Sequence, residues 1–471
     1  MDGHDDVKLE EGSRVGVIGG GPAGSFFSYF LLEMAERIGL GLQVDIFEPR
    51  DFSVPGPQGC NMCGGIISES LVQHLATEGI RLPTNIVQRG IASYTLHTDV
   101  GSVLIQTPRM EKRIGAVYRA PGPRGLKELK WGGFDGHLLG LAQSKGARVT
   151  RGRVERIARQ DGRWQLTVRG QPAQAYDLLV VTAGVNSAAH RLFENLNLAY
   201  RPPRTVKTYI CEYHLGQAQI AQYLGDSMHV FLLNLPGLEF AAIIPKGDYV
   251  TLCLLGEGID ERLVRSLTES PEVQRMMPPD WRPDQSVCQC QPRIAVEGAQ
   301  QPYGDQIVFI GDCSVTRLYK DGIGSAYRTA KAAAATVIFH GTSAADFAQH
   351  YLPTCRSIAG DNLLGKLVFF VTRQIQHRIF AQRAVVRMTS REQRQSNRPR
   401  RMSLVLWDTF TGSSPYRDIL LRTLHPAFWL EFLGHLAVAL ADRAGRVLVH
   451  PEHATPEHGQ RIGAPGEGAS G

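Results

Sequence analysis

Residues 14–38 read RVGVIGGGPAGSFFSYFLLEMAERI and form the most informative stretch of this chain. The stretch opens with the β-branched run Arg14–Ile18, passes through a turn rich in glycine, and continues with apolar residues at helical spacing. A strand, a glycine turn and a helix in this order predict the first βα unit of a Rossmann-type α/β domain.

The glycines of this turn have the spacing GxGxxG, and each has a physical use. Gly19 is expected to make the tight turn, Gly21 to let the backbone approach a pyrophosphate, and Gly24 to let the helix pack closely on the strand. A second predicted strand, Gln43–Phe47, ends on Glu48, which lies 24 residues after Gly24. An acid at this place accepts hydrogen bonds from a ribose, so the sequence predicts a dinucleotide site.

A second constellation stands some 290 residues further on. A predicted buried strand, Gln306–Ile310, leads into Gly-Asp at Asp312, and a helix of small residues follows, Ser325–Phe339. The pattern resembles the FAD-binding Gly-Asp motif of the flavoprotein superfamily that contains aromatic hydroxylases and geranylgeranyl reductases. The resemblance implies that Asp312 bonds the ribityl chain of FAD. It also implies that the helix opening at Gly322 and Gly324 sets backbone N–H groups under the flavin pyrimidine.

The middle of the chain resembles the same superfamily. Phe134-Asp135 and the residues after it match a segment that the family writes as Arg-x-x-Phe-Asp-x-x-Leu, but residues 130–133 are Lys-Trp-Gly-Gly, so the family's arginine is absent there. The predicted strand Ala147–Ile157 follows, and the resemblance implies that its backbone meets the adenine at Val154. A further strand, Asp177–Thr182, stands where the family has its third conserved segment.

The most distinctive stretch is residues 58–68, QGCNMCGGIIS. Geranylgeranyl reductases carry Cys-Gly-Gly followed by Ile/Leu-Ser/Pro at this place, with the cysteine facing the flavin, and Cys63 carries that match. Cys60 does not match, but it stands close enough to act with Cys63. Both cysteines are therefore candidate catalytic residues. Glycine beside a flavin lets the backbone come close, and a thiol there could tune the flavin or transfer a proton.

Three interpretations of the pair Cys60 and Cys63 remain open from the sequence. They are ordinary reduced thiols in a tight turn, a reversible disulfide that exchanges electrons with the flavin, or half of a metal site. A complete metal site would need Cys288 and Cys290, which are about 225 residues away and have an unusual spacing for zinc or iron–sulfur ligands. We expect no bound metal.

Short alternating strands predict an inserted antiparallel sheet for the substrate. They are Thr205–His214, Met228–Leu233, Leu238–Ile244 and Tyr249–Leu255. The turn predicted at residues 245–248, Pro-Lys-Gly-Asp, resembles a corner of the geranylgeranyl reductases. The aromatic pair that precedes this corner in the family is Ala241-Ala242 here. Two explanations stay open, a wider tunnel for a lipid and simple packing of the core.

A chain of 471 residues exceeds the size of a single core, which stops growing at roughly 250–300 residues. The predicted fold class is α/β, with a Rossmann-type FAD-binding domain, an inserted antiparallel β-sheet substrate domain and a C-terminal helical segment. The expected bounds are 13–79, 120–199 and 287–345 for the FAD-binding domain, 80–119 and 200–286 for the substrate domain, 346–450 for the helical region, and 451–471 for a disordered tail.

The charge of the chain is concentrated in one place. Residues 366–401 hold ten Lys or Arg against one acid, a local charge of +9, whereas the whole chain carries only +6. Apolar residues interleave with these arginines, so an anionic membrane surface, an acidic protein partner and a solvated basic face are all open interpretations. The balance of the whole chain does not indicate nucleic acid. The polar start of the sequence predicts a cytoplasmic protein, or one peripheral on the inner face of the membrane.

By these resemblances the chain is similar to geranylgeranyl reductase-like FAD-dependent oxidoreductases. The implied reaction is hydride delivery from reduced flavin to a C=C bond of an isoprenoid or lipid-like substrate. Because no second GxGxxG occurs in the sequence, we expect electrons from a ferredoxin-like protein or from NAD(P)H bound transiently. The alternatives are a flavin monooxygenase on the same fold and a peripheral flavoprotein that passes electrons to a quinone.

Overall fold

The computed structural model describes residues 7–56, 63–108, 114–124, 132–194, 196–395 and 399–442. Its strands are β1 (Arg14–Ile18), β2 (Gln43–Phe47), β3 (Ile66–Ser68), β4 (Val87–Ile91), β5 (Ser93–Thr98), β6 (Gly101–Gln106), β7 (Ile114–Val117), β8 (Arg148–Thr150), β9 (Val154–Gln160), β10 (Arg163–Val168), β11 (Gln174–Tyr176), β12 (Leu178–Val181), β13 (Thr205–Lys207), β14 (Tyr209–His214), β15 (Ser227–Leu232), β16 (Leu238–Lys246), β17 (Tyr249–Gly256), β18 (Cys288–Cys290), β19 (Arg293–Ala295), β20 (Tyr303–Gly304) and β21 (Ile307–Phe309).

The helices of the described residues are distributed along the whole chain. They are α1 (Pro22–Arg37), α2 (Glu69–Thr77), α3 (Phe134–Ser144), α4 (Gln217–Tyr223), α5 (Glu261–Thr268), α6 (Pro271–Gln274), α7 (Gly322–Phe339), α8 (Ala344–Asp346), α9 (Leu352–Gln376), α10 (Ile379–Arg394), α11 (Arg401–Thr411), α12 (Tyr416–Thr423) and α13 (Pro426–Ala441).

A six-stranded sheet of order β20-β21-β12-β1-β2-β8 forms the first layer, and every pair except β20 with β21 is parallel. β1 lies at its centre because Arg14–Ile18 is buried on both faces, as strands of a parallel sheet are. One face is covered by α1, α3 and α7, whose apolar residues share a core with β1 and β2. The small antiparallel sheet β11-β10-β9 covers the other face. The predicted Rossmann-type domain is confirmed.

A seven-stranded sheet of order β18-β14-β17-β16-β15-β5-β6 forms the second layer. It is antiparallel apart from the parallel pair β15 and β5. Along β16 the side chains alternate between two cores. Ala241 and Ile243 pack towards α5 and α6, while Phe240 and Ala242 pack towards α9, α10 and α11. All nine residues of β16 are buried because both faces of the strand are covered, and only Glu239 and Lys246 among them are charged.

Three strand predictions need correction. The stretch predicted as one strand, Thr205–His214, forms β13, which pairs with β19 in a two-stranded sheet, and β14 of the seven-stranded sheet. The stretch predicted as one strand, Ala147–Ile157, forms two strands that belong to different sheets, β8 in the parallel sheet and β9 in the small antiparallel one. The chain turns between them, where Gly152 N donates to Thr150 O at 3.0 Å. The turn predicted at residues 245–248 is also shorter, because Pro245 and Lys246 still pair with β17.

The pair Ala241 and Ala242 belongs to the packed interior. Ala241 is fully buried in the core under α5 and α6, and Ala242 is 6% exposed in the core under the C-terminal helices. Of the two explanations that the sequence left open for this pair, simple packing of the core agrees with these positions.

The C-terminal helices are the second covering layer of the seven-stranded sheet. Trp407 and Tyr416 are fully buried there, in one core with Tyr94 and Phe240 of the sheet. Tyr416 packs against Gly365 of α9, where a Cβ would lie 2.6 Å from the ring. The predicted C-terminal helical segment therefore shares its core with the seven-stranded sheet.

No single helix of the described residues is both long enough and apolar enough to cross a membrane. The helices α12 and α13 reach the required apolar length only when taken together, and they meet at a bend of 69°.

Candidate cofactor and active site

The turn after β1 has the geometry of an anion-binding loop. Gly19 has φ +110°, a conformation that side chains other than glycine rarely adopt, and a Cβ there would lie 2.8 Å from Thr182 O. A Cβ on Gly24 would collide with Gly19 O, so helix and strand are in close contact at this point. Helix α1 begins at Pro22. Its N-cap residue, Gly21, has no side chain that could accept hydrogen bonds from the free N–H groups of the first turn. These N–H groups remain available to an anion.

Two guanidinium groups lie over Gly21. A Cβ placed on this glycine would be 3.6 Å from Arg119 Nη2 and 3.8 Å from Arg50 Nη2, with no closer neighbour. The space over the N-terminus of α1 thus lies between two guanidinium groups. No other atom lies within 4 Å of the place that a Cβ on Gly21 would take. Such a place suits a doubly charged group like a pyrophosphate.

The carboxylate of Glu48 faces the glycine turn. Glu48 is 2% exposed, and its Oε2 accepts from Gly20 N at 2.9 Å. Its Oε1 accepts from Arg50 N at 2.9 Å and from Arg50 Nε at 3.0 Å, and Arg50 Nη2 lies 3.3 Å from Oε2. A carboxylate accepts about four hydrogen bonds, so ribose hydroxyls would reach Glu48 by displacing the half-exposed Arg50.

Arg119 is the residue that the sequence analysis missed. Its Nε donates to Asp135 Oδ1 at 2.5 Å and its Nη2 donates to Asp135 Oδ2 at 2.7 Å. The arginine that is absent from residues 130–133 is thus matched in the fold by one from 16 positions upstream of Asp135. Residues 130 and 131, which stand nearer in sequence, lie outside the described residues. Arg119 follows β7 by two positions, and no strand is predicted there from the sequence.

The charges around Arg119 connect the two sequence motifs. Burial by itself lowers the pKa of Arg119, but the Asp135 carboxylate raises it above the ordinary value, with further contributions from Cys63 and Asp312. Burial raises the pKa of Asp312, and Arg119 opposes this shift. Asp135 thus bonds to Arg119, and the charges of Cys63 and Asp312 are near enough to affect the pKa of this guanidinium.

Asp312 is held at this place by a glycine that cannot be replaced without strain. Gly311 has φ +65°, and a Cβ there would lie 2.7 Å from the Cβ of Ala23 in the first turn of α1. Its N–H donates to Thr329 Oγ1 of α7 at 3.0 Å. The Gly-Asp segment thus contacts both nucleotide-binding helices, and the partly exposed Asp312 is the next residue.

The start of α7 carries a carboxylate that the sequence analysis did not consider. Asp321 is the N-cap with φ +54°, and a Cβ on Gly324 would collide with its carboxylate. Asp321 Oδ2 lies 3.0 Å from Arg317 Nη1 and 3.2 Å from Arg328 Nη2. Gly322 and Gly324 are in the first turn as predicted, but an acid shares the space over their N–H groups.

Val154 is the first residue of β9 and is 5% exposed. It packs in one core with Ile18 of β1 and Phe47 of β2. This position places the start of β9 beside the ends of the two strands that carry the glycine turn and Glu48. The structure thus brings the predicted adenine-facing residue to the same region.

Cys63 is half-buried and accepts a hydrogen bond from Gly65 N at 3.3 Å through Sγ. Cys60 lies outside the described residues, so the three interpretations of the pair stay open. Among the residues that the structure describes, no group of three or more His, Cys, Asp or Glu is placed to hold a metal ion. Cys288 and Cys290 are in β18, at the edge of the seven-stranded sheet.

A buried lysine lies beneath the cysteine loop. Lys246 is fully buried at the end of β16, and its Nζ has no hydrogen-bond partner among the described residues. The same Nζ lies 4.9 Å from the ring centroid of Tyr118 and 2.8 Å from where a Cβ on Gly65 would be. Burial raises the pKa of Cys253 nearby, and Lys246 opposes this shift. The chain thus places an ammonium group next to Gly65, two residues from Cys63.

No protein-family model and no curated protein matches this chain. Solved structures do match it. One is a geranylgeranyl bacteriochlorophyll reductase-like protein from Thermoplasma acidophilum, which is 15% identical, with 92% of this chain and 100% of that chain covered and a TM-score of 0.60. Another is a p-nitrophenol 4-monooxygenase from Pseudomonas putida, which is 13% identical, with 86% and 100% covered and a TM-score of 0.55.

A third match is a halogenase solved in complex with FAD, which is 13% identical, with 92% of this chain and 93% of that chain covered and a TM-score of 0.54. At these identities the likeness concerns the fold. The predicted resemblance is confirmed at that level: the chain has the fold that a geranylgeranyl reductase-like protein shares with flavin-dependent monooxygenases and halogenases.

Proposed function

We propose that this protein is an FAD-dependent oxidoreductase that reduces a C=C bond of an isoprenoid or lipid-like substrate. The observation that supports it best is that Arg119, which lies over Gly21 at the open N-terminus of α1, bonds to Asp135 and lies within electrostatic range of Cys63 and Asp312. Three stretches that are far apart in sequence supply Asp135, Cys63 and Asp312. Each of them was predicted to contact one flavin cofactor.

The residues present fit FAD by their chemistry. The pyrophosphate would lie over Gly21, between the guanidinium groups of Arg119 and Arg50. Asp312 would accept from the ribityl hydroxyls, and Val154 would face the adenine. The fit is less direct at two places. Glu48 already accepts from Gly20 and Arg50, and the carboxylate of Asp321 shares the first turn of α7.

When bound, FAD would supply the hydride that an isolated alkene needs. The protein's own part is to bind, orient and exclude water. Gly64 and Gly65 contribute no side chains, and they pack on Ile244 and Cys253 of the seven-stranded sheet and on Val117. Backbone without side chains can approach a flat ring closely. Cys63 and Cys60 are proposed as the catalytic cysteines of this loop, Cys63 with its Sγ held by Gly65 N.

The substrate and the electron donor are proposed on chemical grounds. An alkene without a neighbouring carbonyl group requires a dry site, and the region around Lys246 is enclosed by apolar strands β7, β16 and β17. The electrons would come from a ferredoxin-like protein or from NAD(P)H. The domain bounds predicted above remain part of this proposal.

The proposed contact of residues 366–401 with an anionic membrane is weaker than the sequence alone indicates. Four of the ten basic side chains of this segment are paired with acids of the protein itself. The pairs are Lys366 with Glu297, Arg373 with Glu239, Arg387 with Asp442, and Arg401 with Glu431. Much of the local charge of +9 therefore stabilises the fold.

The experiment is to purify the protein, identify its flavin by absorbance and chromatography, and reduce it chemically under argon. The reduced protein is then incubated with a geranylgeranyl lipid, and the product is analysed by mass spectrometry. A gain of two hydrogens per double bond supports the proposal. A gain of oxygen after admitting air identifies a monooxygenase, an activity on this same fold. Rapid quinone reduction without a reduced alkene identifies an electron-transfer flavoprotein.

A further inference from the structure

The helices α12 and α13 present large apolar side chains to the outside of the protein. These side chains are between 45% and 74% exposed, which is unusual for residues of this size. They are Leu421, Leu424, Trp429, Leu430, Leu433, Val438 and Leu440. We call this set the outer face. A further run on α9, which packs against α12, consists of Leu363, Leu367, Phe370 and Val371.

The polarity of α13 is reversed relative to an ordinary surface helix. Its acid Glu431, whose side chain is 42% exposed, pairs with Arg401 Nη1 at 2.9 Å, and Asp442 directly after the helix pairs with Arg387. Phe428 and Ala439 are buried on the same inward side. A surface helix normally turns its charges to water and its leucines to the core. Here the acids form ion pairs with arginines of neighbouring helices, and Leu430 is 74% exposed.

The exposed charged residues on the C-terminal helices all have one sign within the described part of residues 352–442, and we call them the basic rim. Every acid between residues 352 and 442 is buried or half-buried, whereas the exposed charged residues in the described part of this region are all basic. The basic residues are Arg356, Lys366, Arg378, Arg391, Arg394 and Arg417. An apolar surface with a basic rim complements a layer that is apolar inside and anionic at its boundary.

The bend between α12 and α13 fits a position in the plane of such a layer. The two helices together have the apolar length of a membrane span, but they meet at 69°. The bend has a local cause, because Pro426 starts α13 and the residue before a proline disfavours the helical conformation. Trp429 lies close to this bend, and tryptophan favours the boundary between lipid and water.

We infer that the outer face is a docking surface for the interfacial layer of an anionic lipid bilayer, into which α12 and α13 insert their apolar side chains while the basic rim contacts the headgroups. This inference does not depend on the cofactor or on the reaction. It makes the apolar side chains of α12 and α13 the principal membrane contact, while Arg378, Arg391 and Arg394 of the arginine-rich segment stay part of the basic rim and Lys366 pairs with Glu297.

The test is flotation of the full chain with vesicles of phosphatidylcholine alone and of phosphatidylcholine with phosphatidylglycerol. The test variant combines Trp429→Ser, Leu430→Gln and Leu433→Gln. The matched control combines Ile38→Gln and Leu104→Gln, which are exposed to 53% and 48% and lie elsewhere. We expect at least about a tenfold lower lipid partition for the test variant and no change for the control. Because the contact is largely apolar, about 0.5 M salt should weaken wild-type binding without abolishing it.

A second measurement distinguishes loss of lipid binding from misfolding of the triple variant. Quenching of tryptophan fluorescence by brominated lipid should occur in the wild type and fall in the single variant Trp429→Phe, with flotation retained. The inference is overturned if the triple variant floats like the wild type or if the wild type does not float. A third outcome also overturns it: the wild type does not float with vesicles, sedimentation shows it to be a dimer, and the triple variant is a monomer. The outer face would then bind a second copy of the chain.

Discussion

Arg119 holds the carboxylate of Asp135 by two parallel hydrogen bonds, of 2.5 and 2.7 Å, across a gap of 16 positions in the chain. Asp135 is in the first turn of α3, and its side chain is 2% exposed. The pair fixes the guanidinium so that Nη2 faces Gly21. One ion pair thus orients the guanidinium that we propose to bind phosphate, and it connects the chain after β7 to α3.

Replacing Arg119 by alanine should damage both stability and cofactor binding. The substitution leaves the Asp135 carboxylate buried without a partner, which costs about 3–5 kcal/mol of unfolding free energy. Arg119→Lys keeps the charge but loses the two-point geometry, so we expect it to fold better than Arg119→Ala and to bind FAD about tenfold more weakly than wild type. Urea unfolding and flavin fluorescence titration measure the two effects. Wild-type FAD affinity in Arg119→Lys would contradict the assignment.

Two glycines of the same turn should respond differently to alanine. In Gly24→Ala the new methyl group collides with Gly19 O, and we expect a loss of about 1–3 kcal/mol in unfolding free energy. In Gly21→Ala the nearest atom is a guanidinium nitrogen at 3.6 Å, so stability should change by less than about 1 kcal/mol. FAD affinity should nevertheless fall, because the methyl group occupies the space of the pyrophosphate. Equal effects of the two substitutions on stability would refute this reading of the turn.

The stacked pair His97 and His229 should make the fold sensitive to acid. His97 Nε2 and His229 Nδ1 are 3.0 Å apart, and both rings are buried. Burial lowers the pKa of His97 well below its usual range, and it lowers the pKa of His229 to about 4. The unfolded chain binds protons near pH 6.5 and the native pair does not. The contribution of the neutral pair to the unfolding free energy is therefore fully present above about pH 6.5, and it is lost as the pH falls towards 4.

For His229 alone this difference amounts to about 2 kcal/mol between about pH 7.5 and about pH 5. Urea unfolding at the two pH values measures it. The variant His229→Asn should have a flatter pH dependence than wild type, and an exposed histidine such as His425 provides the control substitution. An unchanged slope in His229→Asn would show that the pair does not set the acid limit.

Replacement of Lys246 by methionine should not destabilise the protein. An ammonium group that is fully buried without a hydrogen-bond partner costs desolvation energy, and an apolar side chain of similar length removes this cost. We expect Lys246→Met to have an unfolding free energy equal to wild type or about 1–2 kcal/mol higher. The half-exposed Lys331, substituted in the same way, is the control. A loss above about 1 kcal/mol would show that Lys246 is paired in solution.

Local patterns in the sequence predicted the strand, the glycine turn and the helix at the start of the chain correctly. The strand Arg14–Ile18, the helix from Pro22 and the strand Gln43–Phe47 have the bounds that hydrophobic spacing and glycine position indicate. Each of these elements is specified by neighbours along the chain, through backbone sterics and the period of buried residues. The same reasoning failed at Ala147–Ile157, where no local signal shows that the chain moves from one sheet to another.

The residues that gather around the site from a distance could not be predicted. Arg119 reaches Asp135 only because β7 and α3 are brought together, and Lys246 is buried only because β16 continues beyond the expected turn. Sequence spacing carries no information on such contacts once a segment of irregular length intervenes. The collision between Gly24 and Gly19 was predictable, since both belong to one turn.

The sequence by itself determined the fold class, the glycine turn and the candidate cysteine loop, because these depend on short-range geometry and on residue types at fixed spacing. Tertiary structure alone decided which charges are available. It pairs Arg387 with Asp442 and Arg401 with Glu431, and it leaves several leucines of α13 exposed. The physical reason is that an ion pair depends on which helices pack together, so the arginines of residues 366–401 that keep a free charge could not be predicted from their number in the sequence.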